Sequence, residues 1–267
     1  MKFASYTLKT QTTLKTLYYF IVKMEIFKID NIISFVGKTL LLTIDNKKII
    51  VFGDVHIGLE EALNKEGFLV PRTHFKDMYE EIRAVLKLTK PDKIVINGDF
   101  KHEFGRISKQ EWNDTFKFME LLMRDSAEIV LIQGKRDKIL QPLAEKYNIV
   151  IKEFYKENSI YITHGDKVPE NKTFDESKTV VIGHEHPCVV VRDNHKFEKF
   201  KTFLIGEYEK KKLVVLPSFN PIEGVDVTKE RLLSPFLKKR DISNFDVYVT
   251  ADEIYHFGKL ANFMKKE

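Results

Sequence analysis

Lys48-Ile49-Ile50-Val51-Phe52-Gly53-Asp54-Val55-His56-Ile57-Gly58 decides how the rest of the chain is read. Four apolar residues run into Gly53, and a carboxylate and an imidazole follow one residue apart. The pattern predicts a buried strand that ends at Gly53 and delivers Asp54 and His56 to its C-terminal rim. Residues i and i+2 of an extended or tightly turning chain face the same way, so the pair can converge on one ion. Asp-x-His alone reads equally well as a turn aspartate beside a surface histidine. Its weight comes from repetition.

Four more runs share the design: Ile94-Val95-Ile96-Asn97-Gly98-Asp99, Ile129-Val130-Leu131-Ile132-Gln133-Gly134, Ile160-Tyr161-Ile162-Thr163-His164-Gly165-Asp166 and Val180-Val181-Ile182-Gly183-His184-Glu185-His186. Each is an apolar strand that stops at glycine, where the backbone can turn sharply or be approached closely. Ligands of α/β sheets bind beyond the carboxyl ends of strands. Five such ends on one edge would gather Asp54, His56, Asp99, His164, His184 and His186. Chance scatter would not place five of the eight histidines within five residues after such runs. Two carboxylates with four imidazoles suit Mn, Fe, Co, Ni or Zn better than Ca or Mg.

Composition narrows the class. Of the 267 residues 43% are hydrophobic and 31% charged, as in soluble globular proteins. One cysteine, Cys188, excludes an internal disulfide framework and fits a reducing cytoplasm. The longest apolar run near the N-terminus, Leu17 to Val22, is too short to span a bilayer. Residues 1–23 hold four lysines and no acid, so they carry +4 of the net +5 and leave the rest at +1. The basic balance is therefore no argument for nucleic-acid binding by the folded body. We read 1–23 as a disordered or mis-annotated extension and 24–267 as a single domain.

Ile32–Val36, Thr39–Ile44 and Lys48–Phe52 read as a β-meander. Helices are expected at Leu59–Glu66, from Phe75 to Leu86, from Trp112 to Met123 behind a Ser108/Glu111 capping box, and at Ile139–Tyr147. Strands are expected at Lys93–Asn97, Glu128–Ile132 and Ile149–Phe154. The later pattern is mostly β: Ser159–Thr163, Thr179–Ile182, Val189–Arg192, Phe200–Ile205, Lys212–Leu216 and Asp246–Thr250, with a short helix at Lys229–Leu233. Helix-strand alternation followed by strands implies two packed mixed β-sheets flanked by helices.

Asp54-x-His56, Gly98-Asp99, Gly134-x-x-Asp137, His164-Gly165 and Gly183-His184-x-His186 resemble the calcineurin-like metallophosphoesterases over residues 39–220. The strings Asn97–Gly105 and Gly183–Pro187 are similar to an archaeal branch related to the SbcD/Mre11 nucleases and to phosphoesterases associated with bacterial DNA ligases. The resemblance implies an α/β/β/α sandwich and hydrolysis of a phosphodiester by a metal-activated hydroxide. Asp54, His56 and His186 would hold one ion, His164 and His184 a second, and Asp99 would bridge them, with manganese the first choice. The implied substrate is a phosphoester, with DNA and nucleotides among the candidates and no membrane partner. His102 stands where the related nucleases keep a histidine near the phosphate; it either touches substrate or only supports the site. Asp166 either orients His164 or caps a turn, and Asn220 in Pro217–Pro221 either touches substrate or forms a turn.

One motif departs from the family. Where Gly-Asn-His-Asp/Glu is expected, this chain has Gly134-Lys135-Arg136-Asp137. A protonated Lys135 cannot ligate a cation, and Arg136 cannot give up a proton but can grip phosphate bidentately. Three readings follow: a second ion held without Lys135, a one-ion site in which Lys135 and Arg136 clamp phosphate, or a weakened enzyme. A non-catalytic scaffold on the same fold is the alternative. Residues 222–267 carry no assigned role.

Overall fold

The computed structural model describes residues 24–71, 73–102, 109–125, 128–135, 137, 140–193, 196–229 and 231–264. The expected extension at 1–23, the Ser108 half of the capping box and Arg136 lie outside them.

The first sheet begins with the meander. Strands β1 (Phe27–Lys28), β2 (Ile33–Val36), β3 (Thr39–Ile44) and β4 (Lys47–Phe52) pair antiparallel in sequence order. From β4 the sheet becomes parallel through β5 (Lys93–Asn97), β6 (Glu128–Ile132) and β7 (Val150–Lys152). Parallel neighbours need crossovers. These are helices α1 (Leu59–Lys65), α2 (His74–Thr89), α3 (Lys109–Asp125) and α4 (Gln141–Tyr147). In α2, Met78, Ile82, Val85 and Leu86 form the buried stripe. It ends at Lys90, whose left-handed backbone (φ 47°) returns its N–H to Leu86 O ahead of Pro91.

The second sheet takes the rest of the chain. Its order is β14 (Val225–Asp226), β11 (Pro187–Asp193), β12 (Lys196–Tyr208), β13 (Lys211–Val215), β10 (Thr179–Ile182), β9 (Ile160–Thr163) and β8 (Phe154–Glu157). A hairpin of β15 (Asp246–Thr250) and β16 (Ile254–Lys259) joins it at β12. Both sheets are mixed and the inner faces pack together, as expected. Phe35 and Phe203, both fully buried, stack across the interface with ring centroids 3.9 Å apart.

The outer layers differ. Helices α2, α3 and α4 cover the first sheet through Met78, Ile82, Met119, Leu122 and Leu143. The second sheet is covered by α5 (Lys172–Asp175), only four residues long, by the irregular segment carrying Phe236, Leu237 and Ile242, and by Leu260 in the short 3-10 turn after β16. No helix among the described residues is long and apolar enough to cross a membrane.

Three expectations need correction. Ile149–Phe154 is not one strand: β7 ends in the first sheet and β8 begins in the second, with Glu153 between them. Nothing in its continuous polar-apolar pattern marks that break. Among the described residues of Lys229–Leu233 none is helical; the buried Glu185 carboxylate instead accepts the N–H groups of Leu233 (2.9 Å) and Ser234 (2.7 Å). The chain also does not close at Thr250, since mostly exposed β16 follows without a clear alternating pattern.

Phe203→Ala should cost about 3–5 kcal/mol, because it removes half of the stack and leaves a cavity that two sheets cannot close. Urea unfolding measures it; a loss below about 1 kcal/mol would show that the sheets repack.

Candidate metal centre

Strand direction builds the site. Because β4, β5 and β6 are parallel and paired Phe52 with Ile96 and Ile96 with Leu131, their exits lie side by side on one edge. β9, β10 and β13 are also parallel, pairing Ile182 with Thr163 and with Val215. The two edges meet at Asp54. Its N–H donates to Gly98 O (3.0 Å), and its carbonyl accepts from Ser218 Oγ (2.8 Å) and Asn220 N–H (3.1 Å). Its Oδ2 accepts from His184 N–H (2.9 Å).

The six expected side chains come together in two groups. Potential ligand atoms of Asp54, His56 and His186 lie within 4.8 Å of one another, as do those of Asp99, His164 and His184. His102 joins a third group with His56 and Glu223, its ring centroid 5.8 Å from that of His56. Lys135 is exposed in the turn after β6, and Arg136 lies outside the described residues.

Backbone strain is concentrated here. Asp54 (φ 53°), His56 (46°), Asp99 (45°), His184 (64°) and His186 (52°) are all left-handed. For residues with a Cβ this costs roughly 1–2 kcal/mol each, and such strain clusters at functional sites. The sharp turns aim the side chains; simple strand alternation does not. Gly98 has φ 79°, and a Cβ there would lie 2.3 Å from His164 Nδ1. That ring nitrogen is also 3.1 Å from Asn97 O, so a backbone carbonyl holds the histidine in the way considered for Asp166.

Electrostatics reinforce the convergence. Asp54 is fully buried; desolvation opposes its charge, but His186, His164 and His56 hold its carboxyl well below the usual carboxylate range. Burial alone would lower His186, yet Asp54 and Glu223 raise it to about 9. His184 moves the other way, to about 4, through burial, His164 and the charge of Lys135. Asp137 is pushed up to about 6 by burial while accepting N–H groups from Gly134 and Phe100, both at 2.9 Å. It therefore ties the third strand end to the Asp99 loop.

Sequence reading missed two carboxylates. Glu223 Oε2 lies 3.4 Å from His186 Nδ1, on the ring edge opposite the Nε2 that faces Asp54. Glu185 anchors the His184–His186 loop to residues 233–234. Glu223 comes from a loop after the last recognisable motif, and no local pattern marks it. Asn220 is buried and donates to Val55 O (2.9 Å), so it braces the Asp54 turn.

The donor set fits divalent metal. Asp54 Oδ1 and His164 Nε2 are buried without a hydrogen-bond partner. His186 Nε2 is only 3.1 Å from that Oδ1, out of hydrogen-bonding alignment. Buried acceptors that crowd together in this way are the arrangement a cation satisfies.

Residues 47–254 match the model of the calcineurin-like phosphoesterase family, and the chain belongs to that family. A search of curated proteins found no match. Among solved structures, the Pseudomonas putida nuclease MPE superposes with a TM-score of 0.63 at 15% identity, over 88% of this chain and 100% of that one. That likeness shows a shared fold. A protein of unknown function from Aquifex aeolicus gives a TM-score of 0.36 at 18% identity, over 55% of this chain and 81% of that one. A double mutant of Vps29 from Entamoeba histolytica gives 0.33 at 14%, over 79% and 99%. Both superpose too loosely to carry an argument.

Gly98→Ala should destabilise far more than Gly67→Ala. Both glycines are left-handed, but a Cβ on Gly67 meets nothing within 4 Å. The Gly67 change should cost about 1 kcal/mol of strain alone, and the Gly98 change at least about 3 kcal/mol, because the buried His164 ring must also move. Equal shifts in urea midpoint would sink the close-approach account.

Proposed function

We propose that the protein is a metal-dependent phosphodiesterase, with Asp54, His56 and His186 holding one ion, His164 and His184 a second, and Asp99 reaching both. One observation carries this reading: five of these six residues hold strained left-handed backbones that aim buried or half-buried donors at common points. Bound divalent ions would activate water near neutral pH and neutralise charge developing on the phosphoryl oxygens. Manganese is our first choice, with Fe, Co, Ni and Zn as alternatives, in a cytoplasmic enzyme of the SbcD-related archaeal branch.

The chain's own residues have distinct tasks. Glu223 accepts from His186 Nδ1–H and so presents Nε2 toward Asp54, the carboxylate-histidine arrangement common behind metals. It stays anionic because the His186 contact outweighs burial and lowers it to about 2. His102, beside Glu223 on the partly exposed side of the site, offers an N–H to a phosphoryl oxygen. Lys135 and Arg136 supply cationic grip on the phosphate. Nucleotides or nucleic acid are the finer substrate reading. They are supported by the resemblance of the Asn97–Gly105 and Gly183–Pro187 strings and by a fold shared with a nuclease. The near-neutral folded body favours a short or small diester over a long duplex.

Lys135 sets a second reading, because its charge disfavours any cation at His184. In this variant the second position loads weakly and the lysine replaces part of its charge.

Purified protein with added Mn, Co, Ni or Zn should hydrolyse bis(p-nitrophenyl) phosphate, and Asp54→Asn should lose at least about 100-fold in rate. No turnover above buffer with any of these metals, at measured full occupancy, would leave the non-catalytic scaffold as the better reading. Metal titration with elemental analysis separates the residue roles. Lys135→Asn should move stoichiometry toward two, while Glu223→Gln should weaken the tighter site by about 10–100-fold. Unchanged values in both variants would remove both assignments.

A further inference from the structure

Away from the metal centre, a cavity of about 610 Å3 opens where the two sheets adjoin, between the start of β1, the β2–β3 turn, β12 and the β15–β16 turn. Its floor is basic. Lys38 from the β2–β3 turn and Lys199 and Lys201 from β12 all reach into it. Phe27, Phe200 and Ile254 supply apolar wall. Ile26, 45% exposed, adds apolar surface at the opening.

The three ammonium groups share a task. Lys38 Nζ donates to Phe219 O (2.8 Å), Lys199 Nζ to Gly224 O (2.6 Å) and Lys201 Nζ to Glu223 O. All three carbonyls belong to the loop that carries Asn220 and Glu223. A carbonyl dipole offsets only part of an ammonium's charge. Lys38 has a carboxylate as well, since Glu81 lies 2.8 Å from it. The contact of Lys201 is a carbonyl, and burial together with the Lys38 charge brings it down to about 7. Glu81 already answers Lys38, so the amino group of Lys201, bonded to a carbonyl beside the apolar wall, is the one a negative group entering the cavity would meet.

The rim limits which anion enters. Glu25, Asp252 and Glu253 are exposed at the edge of the cavity and would repel a polyanion. A nucleic-acid strand is thereby disfavoured, and a ligand with one anionic head and an apolar body fits both floor and walls.

We propose that this cavity is a second ligand site, separate from the metal centre, for a singly charged organic anion with an apolar body, held by Lys38, Lys199 and Lys201. The anionic head sits among the three ammonium groups and the apolar body lies against Phe27 and Phe200. The loop carbonyls already orient the lysines, so little side-chain entropy remains to be lost on binding.

The probe is 8-anilinonaphthalene-1-sulfonate, followed by its fluorescence, with octanoate as competitor. The full-length protein should bind one equivalent saturably, and octanoate should displace it. Lys201→Met and Lys38→Met should each weaken binding at least tenfold, while the exposed Lys172→Met should leave it unchanged. Should Lys201→Met unfold the protein, Lys199→Ala at an exposed position should still give a several-fold loss. His102→Ala, on the partly exposed side of the metal centre, should bind the probe as the native chain does. Non-saturable binding, equal affinity across the lysine variants, or loss of binding in His102→Ala would each overturn the proposal. The last outcome would place the anion at the metal centre instead.

Discussion

The two sheets are joined at one buried carboxylate. Asp54 leaves the first sheet, bonds through its N–H to the Gly98 turn, and then engages three pieces of the second sheet's edge: the His184 N–H, Ser218 and Asn220. None of its surface is exposed. A charge in that position is costly unless neighbours compensate it. The compensation comes from imidazoles delivered by the far sheet, so the contact that aligns the halves is also the contact that builds the site. Stability and chemistry meet here in one residue, whose backbone and carboxylate both bridge the sheets.

That dependence explains the distribution of strain. Five left-handed residues at one edge would be a poor use of stability in an inert fold. They persist because the surrounding frame holds them: Asp137 spans two turns, Asn220 braces a third, and Glu185 pins the last to the C-terminal segment. The two candidate positions are nonetheless unequal. His186 is raised to about 9 between two carboxylates, whereas His184 is lowered to about 4 beside a histidine and a lysine. One side of the centre attracts positive charge more strongly than the other.

Much of this was legible in the sequence, for a physical reason. An apolar strand that stops at glycine and turns out a polar side chain is a local pattern; five of the six donors follow such a stop, and His164 immediately precedes one. Parallel pairing then gathers them without further instruction. The roles of Glu223, Glu185 and Asp137 were not legible, because each is defined by a contact with a chain segment remote in sequence or by a turn with no periodicity. The unmet expectation of a helix at Lys229–Leu233 has the same origin: a carboxylate 48 residues away captures the Leu233 N–H. β16 escaped notice because its exposed surface demands no alternation.

The passage at Glu153 has a larger meaning than a misjudged strand boundary. Among the described residues, every strand before it belongs to the first sheet and every strand after it to the second. Asp54, His56 and Asp99 therefore precede the crossing, and His164, His184 and His186 follow it. Neither half of the chain holds a complete set of donors by itself. The centre comes into being only when the second half docks on the first, so donor convergence reports the docking of the two sheets.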